Sequence, residues 1–139
     1  MMILNTKKNI IQKINYMNKS KMYILIHKNV DLGHAILAAA HASLSGYLAF
    51  VEFETKAIID SHLIMEVHPT LTEQWVKESF RKVVCKVNSV EFEKAKTYGK
   101  NMIDYRIMTE SALNNQEVAI VFRPRDNFEP FFKSLKLYK

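Results

Sequence analysis

One cysteine, three glycines and three prolines are all that 139 residues hold of the types that most constrain a backbone. Cys85 alone cannot close an internal disulfide or supply a cysteine-rich zinc cluster, which fits a reducing, cytoplasmic setting. So little Gly and Pro, beside 48% hydrophobic and 24% charged residues, excludes a fibrous repeat and a disordered chain. No GxGxxG, GxxxxGK, HExxH or GxSxG occurs, so dinucleotide, phosphate-loop, zincin and hydrolase-elbow chemistries lose their usual support. Neither a cofactor nor a metal is expected. Nor is a membrane span, because the longest apolar helical stretch, residues 36–53, is interrupted by His41, two Ser and Glu52.

Acidic residues are missing from one region in particular. Residues 1–21 carry Lys7, Lys8, Lys13, Lys19 and Lys21 with no Asp or Glu, leaving 15 basic against 14 acidic residues in 22–139. The net charge of +6 therefore resides in a basic N-terminal arm rather than on the body, a weaker sign of a nucleic-acid surface than charge spread over a fold. The arm lacks the long apolar run of a secretory signal and the Arg of a transit peptide. Its Asn- and Lys-rich composition suits a flexible tail or a short helix pairing Ile10, Ile14 and Met17.

What the remainder contains reads as a single domain over residues 22–139. The apolar, β-rich run at 21–27 predicts a strand buried on both faces. After a polar connection in which Asp31 can cap a helix, residues 34–53 lack a breaker other than Gly46. There Leu37, Ala40, Leu44, Tyr47, Leu48 and Val51 share one helical face. His34, Ala38, His41 and Ser45 form a second stripe, and Ala38, Ala39 and Ala40 permit close approach to a neighbouring backbone. A short helix around Ile58, Ile59, Leu63 and Ile64 should end at Pro69. Thr70 and Glu73 form a capping-box pattern for a helix carrying Trp75 and Phe80. A strand at 81–87 follows, then a helix at 90–98 with N-caps available at Asn88 and Ser89 and a stop at Gly99. Residues 102–108 and 118–122 read as strands flanking a polar loop, and 127–136 as an amphipathic helix. This order predicts an α/β fold: one three-layer domain with a four-stranded mixed sheet and helices on both faces.

Candidates for chemistry are few. An imidazole at His34, in the first turn of the long helix, can serve as a general base; the plain alternative is an exposed helix-start residue. His41 reads as a half-buried residue donating to a backbone carbonyl, and a shared ligand role with His34 needs a third donor that the sequence does not place. The polar loop offers hydroxyls at Thr109 and Ser111 and a carboxylate at Glu110, with Asp104 just upstream; turn chemistry explains such a loop equally well. Thus His34, Thr109, Asp104 and Glu110 are the catalytic candidates, and His41, Ser45 and Ser111 the substrate-binding ones. Strand alternation makes Cys85 a core residue rather than a nucleophile.

Taken together, the strand, Asp31-Leu32-Gly33-His34, then Ala38-Ala39-Ala40-His41-Ala42-Ser43-Leu44 and Tyr47 resemble the opening of the type II peptidyl-tRNA hydrolases, which runs Gly-Lys-Ile-Ala-Ala-Gln, small residues, His-Ala and Tyr. Lys82-Val83-Val84-Cys85-Lys86-Val87-Asn88-Ser89, Thr109-Glu110 and Leu135-Lys136-Leu137-Tyr138 extend the likeness over most of residues 22–139. The resemblance implies a homodimeric α/β domain that hydrolyses the ester between a peptide and tRNA without a cofactor. Counted back from His41, the family's functional Lys falls on His34 and its Gln on Ala38; counted back from Thr109, its acidic residue falls on Tyr105, next to Asp104. Two functions follow as expectations: a divergent hydrolase acting on peptidyl-tRNA or a related ester with His34 as base, or a catalytically inactive relative that binds RNA or protein.

Overall fold

The computed structural model describes residues 19–60 and 70–139. At its centre lies β1 (Lys21–His27), whose alternation divides the core in two: Met22, Ile24 and Ile26 point to one side, Tyr23 and Leu25 to the other. β2 (Arg81–Val87) runs parallel to β1 with Lys21 opposite Arg81 and His27 opposite Val87. β4 (Gln116–Phe122) lies antiparallel on the other side of β1, and β3 (Tyr105–Glu110) pairs antiparallel with β4. The sheet order is β2-β1-β4-β3, the four-stranded mixed sheet expected.

Helices cover both faces. α1 (Leu32–Asp60) and α2 (Leu71–Lys77) pack on the Met22, Ile24 and Ile26 side, with Trp75 of α2 fully enclosed. α3 (Ser89–Ala95) and α4 (Pro130–Lys133) close the other side, where Tyr23, Phe122, Phe128 and Phe132 form a cluster of tilted and edge-to-face rings. The expected capping box of Thr70 with Glu73 is present, and Asn88, one of the two N-cap candidates, forms a second with Glu91.

Several boundaries differ from the expectation. α1 does not stop near Phe53: nothing between that residue and Asp60 breaks a helix, so Ile58 and Ile59 belong to its last turns, while Leu63, Ile64 and Pro69 lie outside the described residues, as does the basic arm up to residue 18. Buried Glu54 then accepts both the backbone N–H (2.9 Å) and the hydroxyl (2.7 Å) of Thr72, joining α1 to α2. Residues 102–104 are a turn instead of strand, with Met102 at φ 73° and Asp104 donating its N–H to the Lys100 carbonyl. β3 therefore starts at Tyr105 and carries Thr109 and Glu110 into the sheet. The two-residue reversal at Asn114 and Asn115, both left-handed, returns the chain to β4.

The largest departure concerns the faces of α1. Ala35, Ala38, Ala42, Gly46 and Phe50 meet the sheet, whereas Leu37, Leu44 and Leu48 are exposed. The sheet surface is already filled by Ile24, Ile26 and Val121, so the helix seats against it through small side chains; a Cβ on Gly46 would stand 3.0 Å from Val121 Cγ1. By length and composition α1 is apolar enough to cross a membrane, with a mean hydropathy of 1.4 over its best stretch, so composition alone does not exclude a span. In the fold this helix lies across the sheet.

Candidate active site

The strand directions decide what comes together. Because β1 and β2 are parallel while β4 opposes β1 and β3 opposes β4, the C-terminal ends of β1, β2 and β3 share one end of the sheet with the start of β4. The crevice beyond the carboxyl ends of parallel strands is where α/β domains bind ligands. His34 reaches this end because β1 delivers the chain directly into α1.

Asp31 occupies the N-cap position of that helix. One carboxylate oxygen, Oδ2, accepts the backbone N–H of His34 at 3.3 Å, and Oδ1 lies 2.7 Å from His34 Nδ1. The ring bond, reinforced by the backbone bond, holds the Asp31 carboxyl below its ordinary range, so it is ionised at neutral pH and can only accept. Nδ1 must therefore carry the proton of this bond, and in the neutral ring Nε2 keeps a free lone pair. A capped, oriented imidazole with one-third of its side chain exposed is the arrangement of a general base. Sequence reading gave Asp31 the capping role and missed the second one, although a cap residue three positions before a histidine is itself the signal.

A second imidazole sits nearby in the fold. His27, the last residue of β1, accepts the N–H of Asn29 at Nδ1 (3.2 Å) and places Nε2 3.1 Å from Ser89 Oγ. With Nδ1 accepting, the neutral ring donates from Nε2 to the hydroxyl, so His27 positions Ser89 rather than deprotonating it.

The expected residues distribute unevenly. Thr109 is exposed at the His34 end, beside an irregular register between Met108 and Thr109 of the kind that re-aims a strand's side chains. Ser111 is exposed in the following 3₁₀ turn. Glu110 stands at the same end, but its Oε1 accepts the Ala112 N–H at 3.1 Å and caps that turn. Asp104 is not brought to this end. It precedes β3, about 17 Å away along the strand, where Oδ2 accepts the Lys100 N–H (2.8 Å) and Oδ1 lies 3.7 Å from Arg123. His41 is exposed instead of half-buried, because the stripe that meets the sheet is Ala38, Ala42 and Gly46; with Ser45 it lines a shallow groove shared with Glu52 and Arg106. Among the described residues no group of three His, Cys, Asp or Glu could hold a metal.

Comparison with known proteins agrees with this architecture. The model of the family described as peptidyl-tRNA hydrolase PTH2 matches residues 20–138. The chain belongs to this family. It is a peptidyl-tRNA hydrolase-like protein with the expected α/β fold. No curated protein matches it. Ala38, on which the count from His41 puts the family's Gln, is buried against the sheet and offers no polar group. The position counted for its acid is Tyr105, a core residue whose hydroxyl donates to the Lys96 carbonyl at 3.1 Å. Asp31 supplies to His34 the carboxylate that Asp104 and Glu110 do not.

Proposed function

We propose that this chain hydrolyses the ester joining a peptide to tRNA, or a related ester, without a cofactor, and that His34 is the base. The observation that carries this reading is the 2.7 Å bond between Asp31 and His34 Nδ1. In the proposed sequence, a water oxygen attacks the ester carbonyl as His34 Nε2 removes its proton, forming a tetrahedral oxyanion. Asp31 offsets the positive charge that develops on the ring, and the imidazolium returns the proton to the departing ribose oxygen as the carbonyl re-forms. Thr109 is the candidate donor to the oxyanion, a contribution worth roughly 10²- to 10³-fold when one such donor is removed. Ser111 belongs to the same end, and His41 and Ser45 line the groove along α1 that would take the peptide.

Two assignments complete the proposal. The exposed row of Leu37, Leu44 and Leu48, the last two of which also line that groove, supports a homodimer whose second copy packs along the row and walls the groove, and the single reduced Cys85 suits the cytoplasm. The test is turnover of purified peptidyl-tRNA by the full chain and by His34→Ala. Release of peptide by the first and its loss in the second supports the hydrolase. No release by either favours the second reading, an inactive relative that binds RNA or protein, for which Ala38 and Tyr105 in place of the family's Gln and acid speak.

A further inference from the structure

Residues following α4 do not end in solvent. The Lys86 N–H donates to the Lys136 carbonyl at 3.0 Å and the Tyr138 N–H to the Val84 carbonyl at 2.8 Å, with Cys85 opposite Leu137, so the C-terminal segment lies antiparallel on the outer edge of β2. This register places Lys86 directly across from Lys136 on one face, where Cβ atoms are about 5 Å apart and like charges oppose folding. Lys139 completes a groove of about 430 Å³ lined by Lys86, Lys136, Leu137 and Lys139, with no Asp or Glu side chain among its walls. Among the described residues no ion pair joins any of these lysines to an acid; Lys86 instead lies 4.8 Å from the centre of the Tyr138 ring.

Three cations elsewhere are matched: Lys96 by Glu93 and Glu117, Arg125 by Glu129, Arg123 by Asp104. At this edge three lysines share one groove, and two of them face each other across paired segments. That edge also belongs to the His34 end, since Lys86 pairs with Ile26 and the next residue, Val87, accepts the N–H of Lys28.

We infer that this groove holds the phosphate backbone of an RNA, with Lys86, Lys136 and Lys139 each taking a phosphate. The inference rests on the proposed function for the identity of the polyanion: an RNA whose 3′ end reaches His34 passes this edge, and its regular phosphates relieve the repulsion between facing lysines. An acidic protein segment would share only the sign of charge.

Binding of deacylated tRNA to the full chain, measured against salt, tests the groove without chemistry. Lys86→Gln/Lys136→Gln should weaken binding about tenfold at low salt and lower the slope of log Kd against log salt by about two, one for each phosphate left without its lysine. Lys56→Gln, an exposed change on α1, should leave both unchanged. The melting temperature of the double variant should hold or rise, because a like-charge pair is removed. An unchanged salt slope in the double variant overturns the proposal, as does competition by polyglutamate at the groove with tRNA binding unaffected. Should tRNA binding follow the lysines while peptidyl-tRNA stays intact, the groove stands and the hydrolase falls; turnover with an unaltered slope gives the reverse.

Discussion

The two ends of the sheet treat their polar groups differently. At the far end Asp104 is held by the Lys100 N–H and Arg123, Arg125 pairs with Glu129 at 2.9 Å, and Lys21 and Arg125 exchange both backbone bonds. Close by, Glu54 is spent on Thr72. These contacts brace a loop, a strand end and a helix, and they leave few donors or acceptors for a substrate. At the near end the exposed Thr109 and Ser111 stand outside such networks, and Asp31 fixes the orientation of the His34 imidazole without burying it. A polar group already satisfied by its own fold stabilises; one oriented yet accessible can react.

The largest effect should separate the ends directly. In a peptidyl-tRNA hydrolysis assay His34→Ala should lower kcat by about 10³-fold or more, as expected for loss of a positioned base. Asp104→Asn, beside the position counted for the family's acid, should leave kcat within about twofold while costing about 1 kcal/mol of stability in a denaturant titration. A loss of kcat at Asp104 comparable to that at His34 would remove the distinction between the ends.

Asp31→Asn sharpens the same contrast. The amide can donate to Nδ1 and so stabilise the wrong tautomer, but the site is exposed and water competes, so kcat should fall by roughly 10- to 100-fold, less than in an enclosed triad. The pair also has a pH signature. Because the folded carboxyl is held below its ordinary value, its stabilisation is present above the unfolded pKa and is lost as pH falls through the depressed one. The stability difference between wild type and Asp31→Asn, followed by chemical denaturation, should therefore shrink toward zero as pH falls into the acid range if the carboxylate is what matters.

The order of strands and helices was legible because local signals agreed with one another. The β-rich run at Tyr23 to Ile26, both capping boxes and the Asn-rich reversal act within a few residues, so the sequence displays them. What it could not display depends on tertiary competition. Leu37, Leu44 and Leu48 look like a core face by periodicity, but the sheet had room only for Ala and Gly. Asp104 and Glu110 look catalytic by neighbourhood, but strand direction carries one away and a turn consumes the other. His27 and Ser89 are 62 residues apart and meet only because β1 and β2 are parallel.

The outer face of α1 turns that lesson into a measurement. If a second copy covers the leucine row, Leu44→Lys/Leu48→Lys should shift the chain from dimer to monomer in sedimentation at micromolar concentration, with helix content unchanged because neither side chain touches the sheet. A wild-type monomer sinks the dimer, and binding of that monomer to lipid vesicles would assign the row to a membrane surface instead.

The smallest effect probes how firmly the near-end edge is closed. Cys85 is buried on β2 beneath the bridge to Leu137, and burial pushes its thiol up to about 11, with Glu91 adding to the shift. Its thiolate is scarce at pH 8, so iodoacetamide should leave native protein unmodified over hours and label it within minutes in denaturant. The sign of the pH effect follows: a folded value above the unfolded one stabilises fully below about pH 9 and loses that contribution as pH rises toward 11. Labelling of folded protein at pH 8 at a rate that tracks local opening, and that slows when tRNA is added, would mean that the strand carrying Lys136 and Lys139 detaches from the sheet. Bound RNA would then clamp that edge shut, and the two ends would differ in mobility as well as in polar pairing.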